Sequence, residues 1–379
     1  MKVEQLFCDS VSSLSEKLSR VTPNGTGLVL VFGDGAMLKN DETFDGLRKA
    51  YPNASLLGCS TAGEIAGTRV VDGSLVVTAI EFEHTQVRGA SVAIEDPGDS
   101  REAGRELGRQ LSEGDPVHVF LLSDGLNVNG SDLTEGLLEE LPGAATVTGG
   151  LSGDGDRFTN TSVLWDQPAS SNRIAAVGLY GERLKVGYGS MGGWDSFGPE
   201  RVITKSTGNV LYELDGQSAL ELYKKYLGEH ADGLPATGLL FPLSIRTNGD
   251  ERAVVRTILA VDEASQSLTF AGDVPEGSYA RLMKANFDRL IDGAAGAAMT
   301  SYEAIGSTSA DLAILISCVG RKMILGQRVE EEVESVREVL GEKTVMTGFY
   351  SYGEISPFTP GAKCELHNQT MTITTLSER

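Results

Sequence analysis

A chain of 379 residues, 40% hydrophobic, 22% charged and 6% aromatic, is long enough for one large core or two medium ones, which excludes collagen-like, disordered and disulfide-scaffold classes. Its 53 acidic against 32 basic residues leave a net charge of −21 with no basic run able to follow a phosphate backbone, so nucleic acid is not an expected partner. No stretch reaches the roughly 18 uninterrupted apolar residues that span a bilayer, and the opening Met1-Lys-Val-Glu-Gln-Leu6 lacks a leader pattern, so a soluble cytoplasmic protein is expected.

Val11, Leu14, Leu18 and Val21 recur at three- and four-residue intervals and predict a helix over 9–21, capped by Asp9 or Ser10. The apolar run 27–32 then suits a strand buried on both faces, followed by a helix over 41–51 capped by Asn40 and a strand over 55–58 that leads into Cys59-Ser-Thr-Ala-Gly-Glu64. The same order returns twice. In the second copy strand 117–122, helix 131–141 and strand 145–148 lead into Gly149-Gly-Leu-Ser-Gly-Asp154. In the third, strand 312–316, helix 328–340 with Glu330, Glu331 and Glu332 near its positive end, the stop Gly341 and strand 345–347 lead into Gly348-Phe-Tyr-Ser-Tyr-Gly-Glu354. Further strands follow each motif, at 74–82, 173–180 and 368–376.

Between the second and third copies, residues 184–214 read as extended, 217–227 as helix and 230–235 as turn. Strands are expected over 239–245, 253–261 and 267–271, and one long helix over 278–304 with small residues at its centre. The expected architecture is α/β, two lobes of mixed sheet flanked by helices, with an N-terminal segment 1–26 and domains over 27–230 and 231–379.

The motifs Gly58–Glu64 and Gly348–Glu354 place glycines and hydroxyls at the exit of a buried strand, where open α/β sheets bind ligands, and each ends in a carboxylate suited to a hydrogen-bond donor. The same pattern fits a turn in which the glycines take positive φ and the carboxylates cap backbone amides. Cys59 is either a nucleophile beside Ser60 and Thr61 or a buried inert thiol. Four cysteines without paired spacing fit reduced thiols and no structural metal. Arg256, a cation inside the apolar run 254–257, needs either a protein carboxylate or a ligand anion. His367 stands in a polar cluster, Cys364-Glu-Leu-His-Asn-Gln369, where it has either backbone partners or a ligand such as haem iron.

Gly58–Glu64, Gly149–Gly155, Val255–Thr257, Phe270–Gly277, Gly348–Ile355 and Cys364–Thr370 together resemble the FIST family across residues 27–375. The resemblance implies a sensory input module that binds small ligands such as amino acids and works with a histidine kinase, a cyclic-dinucleotide enzyme or a chemoreceptor. One branch of the family senses nitric oxide through haem. Because the motifs fill the chain, a stand-alone sensor signalling through a separate partner is expected, not an enzyme, with catalysis by Cys59 or Glu64 as the rival. No cofactor is expected, haem on His367 being the alternative. Carried onto matching positions, the resemblance implies ligand contacts from Cys59, Ser60, Thr61 and Glu64 in one half, and from Tyr352, Glu354, His367 and Asn368 in the other, with Arg256 as an anion clamp.

Overall fold

The computed structural model describes residues 1–21, 25–247, 253–359 and 361–378. Three mixed sheets flanked by helices share one plan. In each, two consecutive strands run parallel: Leu28–Gly33 with Ser55–Ser60, His118–Ser123 with Thr146–Leu151, and Leu312–Cys318 with Val345–Ser351. The first of each pair is flanked on its other side by a strand that returns antiparallel, Leu75–Glu81, Arg173–Tyr180 or Met371–Glu378. An outer strand, Lys2–Cys8, Gln86–Ala93 or Leu184–Met191, closes each row.

The remaining place in each sheet is filled from another unit. Glu64–Ala66 leaves the first unit and pairs with residues 347–349 of the third. Gly353–Pro357 leaves the third and pairs with residues 149–151 of the second, and Val163–Trp165 leaves the second and pairs with residues 57–59 of the first. The three sheets therefore hand strands around a closed cycle.

Their facing sides form a common core from Phe32, Phe120 and Phe349 with Leu, Ile and Val neighbours of all three units, and Phe32 and Phe349 lie 4.8 Å apart between ring centres. Polar pairs stitch the sheets at depth: Thr78 Oγ1 donates to Thr347 Oγ1 at 2.9 Å, and His118 bonds Thr146 and Thr148, the latter accepting from Thr374. Helices Val11–Leu18 and Asp41–Ala50 cover the first sheet, with Ser10 and Asn40 as their caps. Helices Ser100–Ser112 and Gly130–Glu140 lie over the second, and Phe287–Ala304 and Val329–Leu340 over the third.

The segment between the second and third units holds an eight-stranded antiparallel sheet built from Asp195–Thr207 through Tyr279–Lys284, packed on helix Ala219–Leu227. Residue 231 lies within its span. Here the structure departs from the expected elements. Residues 279–284 form a strand, and only 287–304 are helical, because Asn286 accepts from the Arg289 N–H at 3.3 Å and starts the helix there. The expected strand 253–261 is two strands, Val254–Arg256 and Ile258–Asp262, at opposite ends of the sheet. No helix among the described residues is long and apolar enough to cross a membrane.

Candidate functional site

The repeated motifs are explained first by strand geometry. Gly58, Gly149 and Gly348 face Val31, Leu121 and Leu315 across the parallel pairs, and a Cβ there would lie 2.2, 1.9 and 1.8 Å from those residues' carbonyl oxygens. Only glycine fits so close an approach. The carboxylates that end the first and third motifs are equally structural. Glu64 accepts from the Thr61 hydroxyl at 2.5 Å on one oxygen, and from the Ser74 N–H and hydroxyl at 3.1 and 2.7 Å on the other. Glu354 repeats this with the Ser351 hydroxyl at 2.7 Å, and the Thr370 N–H and hydroxyl at 3.1 and 2.9 Å. Each pins the start of its own returning strand, and burial pushes the two carboxyls up to about 7 and about 8.

The carboxylates thus cap backbone amides as the turn reading expected, whereas of the glycines Gly58, Gly63, Gly348 and Gly353 only Gly63 takes a positive φ, 134°. Cys59 is fully buried in the common core, its thiol pushed up by desolvation. Ser60 exchanges hydrogen bonds with Ser162 at 2.9 Å through its N–H and its hydroxyl. Cys59 and Glu64 are 0% and 1% exposed, so neither side chain opens onto the surface.

The open space lies elsewhere. A cleft of about 830 Å³ runs between the second unit, the antiparallel domain and the third unit, within the size range of small-molecule sites. Its lips are apolar: Leu126, Phe158, Leu259 and Met323 are 36%, 38%, 46% and 45% exposed, large hydrophobic side chains that share this one opening. Tyr352 fixes one lip. Its ring stacks on Phe158 with centres 4.3 Å apart, and its hydroxyl accepts from the N–H groups of Asp154 and Phe158 at 2.9 and 3.2 Å while donating to the Gly155 carbonyl.

Deeper in, Asn368 accepts weakly from the Thr257 N–H at 3.5 Å and donates to the His367 carbonyl at 3.0 Å. The Thr257 hydroxyl is buried without a hydrogen-bond partner among the described residues. Of the nine residues singled out by the sequence, Tyr352 and Asn368 line the cleft. Cys59, Ser60, Thr61, Glu64, Arg256, Glu354 and His367 are not part of its lining. Arg256 stands directly behind the wall: its guanidinium donates to the carbonyls of Asp273 at 3.2 Å and Leu366 at 2.9 Å, and a Cβ on the lining residue Gly272 would meet it at 2.9 Å. It makes no ion pair among the described residues, so two backbone carbonyls serve where a carboxylate or ligand was expected.

Models of two protein families match, the FIST N domain over residues 27–217 and the FIST C domain over 219–357. The chain belongs to the FIST family. FIST domains are sensory, ligand-binding domains, and the two matches meet inside the region that walls the cleft. Among curated relatives, an uncharacterised protein of Methanocaldococcus jannaschii is 23% identical over 315 residues, covering 76% of this chain and 60% of its own length. This FIST chain therefore spans about 60% of that relative. A solved cyanuric acid hydrolase from A. caulinodans superposes over 100% of this chain and 99% of its own with 10% identity and a TM-score of 0.37.

Haem does not fit His367 in this FIST chain. The ring is 1% exposed, its Nε2 sits 2.7 Å from the Ser356 carbonyl oxygen, Phe358 packs against it edge-on, and burial pushes it down to about 4. No group of three or more potential metal ligands occurs among the described residues. The residues that sequence reasoning missed are Leu126, Phe158, Thr257, Leu259 and Met323. One local signal existed at Thr257, a hydroxyl between two apolar strands.

Proposed function

We propose that this FIST chain is a sensor whose small-molecule site is the cleft between the second unit, the antiparallel domain and the third unit. The observation that carries the reading is the cleft itself: about 830 Å³, with walls from three parts of the chain and four exposed apolar side chains at its mouth. An occupant touching all three parts stabilises one relative placement of them, which is how binding energy becomes a change in the surface shown to a partner. The partner in this reading is a separate histidine kinase, cyclic-dinucleotide enzyme or chemoreceptor. The family's sensory character supports it.

A thermal-shift screen with amino acids, small carboxylates and neutral metabolites tests the reading, run in parallel on Ala271→Trp, which places an indole in the cleft. The expected result is a saturable rise in Tm for the wild type that Ala271→Trp abolishes. Consumption of the stabilising compound would turn the reading toward catalysis, and a rise unaffected by Ala271→Trp would move the site elsewhere.

A further inference from the structure

The charge pattern of the cleft goes further than its size. Among the described residues, no Lys, Arg or His lines it, whereas Asp132 and Asp156 do, and neither carboxylate has an ion-pair partner among those residues. Asp132 sits in the first turn of helix Gly130–Glu140, and partial burial and then the charge of Asp273 raise its carboxyl above the ordinary value, with Arg101 opposing. Arg101 is itself engaged by Glu135 and Glu139. An anion entering between Asp132 and Asp156 meets like charge with no cationic side chain among the described lining residues, and the first N–H groups of helix Gly130–Glu140 beside them are already taken by the Asn129 side chain.

The inner end has the opposite bias. Thr257 and Asn368 are 5% and 1% exposed, and the buried Arg256 guanidinium stands behind this wall, bonded to the carbonyl of the lining residue Leu366 and close against the lining residue Gly272. A cation seated there would be desolvated beside a positive charge, which is costly. The polar groups at this end are neutral: among the described residues the Thr257 hydroxyl has no partner, and the Asn368 amide oxygen has one long contact. A buried hydroxyl without a partner carries an uncompensated desolvation cost that a ligand group would remove.

We propose that the cleft takes an uncharged, largely apolar molecule that presents one hydroxyl or carbonyl group to Thr257 and Asn368, with its apolar body between Leu126, Phe158, Leu259 and Met323. The proposal rests on the cleft being the sensor's binding site.

The test uses the fluorescent neutral probe N-phenyl-naphthylamine on the full chain, displaced by three compounds with one shared body: naphthylacetamide, naphthylacetate and naphthylethylamine. The amide should displace the probe at about tenfold lower concentration than either charged analogue, the ratio expected for one good hydrogen bond. Thr257→Val should erase that advantage while the probe still binds, and Thr257→Ser should keep it. Equal or better displacement by the acetate or the amine overturns the proposal, as does an amide preference that survives in Thr257→Val. If Thr257→Val does not fold, the wild-type displacement series decides alone. Probe binding without head-group preference defeats this inference and leaves the sensor site standing. Absence of probe binding also defeats this inference alone, whereas binding unchanged by Ala271→Trp together with no thermal shift in the screen defeats both.

Discussion

Tyr352 and Phe158, 194 residues apart in sequence, stack at 4.3 Å with their planes 17° from parallel, and the Tyr352 hydroxyl takes hydrogen bonds from two backbone N–H groups of the loop that carries Phe158. A residue of the third unit thereby sets the position of a lip that belongs to the second. Tyr352→Phe keeps the stacked ring and leaves those N–H groups without their acceptor, at a cost of about 1–3 kcal/mol. The expected outcome is a lower urea midpoint and weaker N-phenyl-naphthylamine binding, because the lip is no longer held. Unchanged probe affinity with lowered stability would show that the loop keeps its place without the hydroxyl.

Arg321 and Glu332 are both fully buried, with two guanidinium donors at 2.7 and 3.1 Å from one carboxylate oxygen. Tyr350 and Ser317 donate to the other oxygen, and the remaining Arg321 bonds go to the carbonyls of Gly192 and Leu290. Glu332→Ala strands a buried cation and should cost about 3–5 kcal/mol in urea unfolding. Replacing both residues by apolar ones, Arg321→Met with Glu332→Leu, should cost less than the single change. A double variant as unstable as the single one would locate the contribution in the carbonyl contacts of Arg321.

The pH dependence of stability has two opposing sources. Glu64 and Glu354, pushed up to about 7 and about 8 chiefly by burial, contribute stability that is whole below their ordinary value of 4.5 and lost as the pH rises through 7 and 8. His118 and His367, pushed down to about 3 and about 4 by burial, contribute stability present above their ordinary 6.5 and lost as the pH falls through 4 and 3. Between about pH 5 and 6.5 the two pairs offset each other, so calorimetric Tm values should stay level there and decline from about pH 6.5 to about pH 8, and that decline should flatten in Glu64→Gln with Glu354→Gln, whose amides mimic the protonated acids. The same slope in the double variant would assign the decline to other groups.

Cutting the chain between the two family matches, after residue 217, separates strands that share sheets. Residues 149–151 lose 353–355, residues 184–191 lose 371–378, and 64–66 lose 347–349. Residues 1–217 made alone should aggregate or unfold without a cooperative transition, and co-production with 218–379 should restore a soluble complex. A soluble, cooperatively folding 1–217 would show that the exchanged strands are dispensable.

The parallel strand pairs and several of their helices were legible because their signals are local: double-sided apolar runs, caps at Ser10 and Asn40, and a stop at Gly341 with φ 80°. Helix Ser100–Ser112 was not read although Ala103, Leu107 and Leu111 recur on its buried face; Gly104 and Gly108 share that face, and a Cβ on Gly104 would lie 2.2 Å from the Leu133 carbonyl oxygen. Glycines inside a helical period weaken the signal that sequence patterns detect. The polar strand Gln86–Ala93 hid for a related reason, being an edge with one solvated face. The glycines and carboxylates of the motifs serve strand contact and capping. The cleft draws on segments near residues 97, 129, 209, 235, 257, 320 and 368, and no single window of sequence contains it.

The strand that completes the second unit's sheet, Gly353–Pro357, follows the edge it covers by about 200 residues, which at roughly 5–20 residues per second is about 10–40 seconds of synthesis. During that interval residues 146–151 leave the ribosome with one row of backbone donors and acceptors open. The first unit receives Val163–Trp165 much sooner, and the third finds Glu64–Ala66 already made. Translation rate and chaperone cover over this one edge thus set how much of the newborn chain reaches the closed ring.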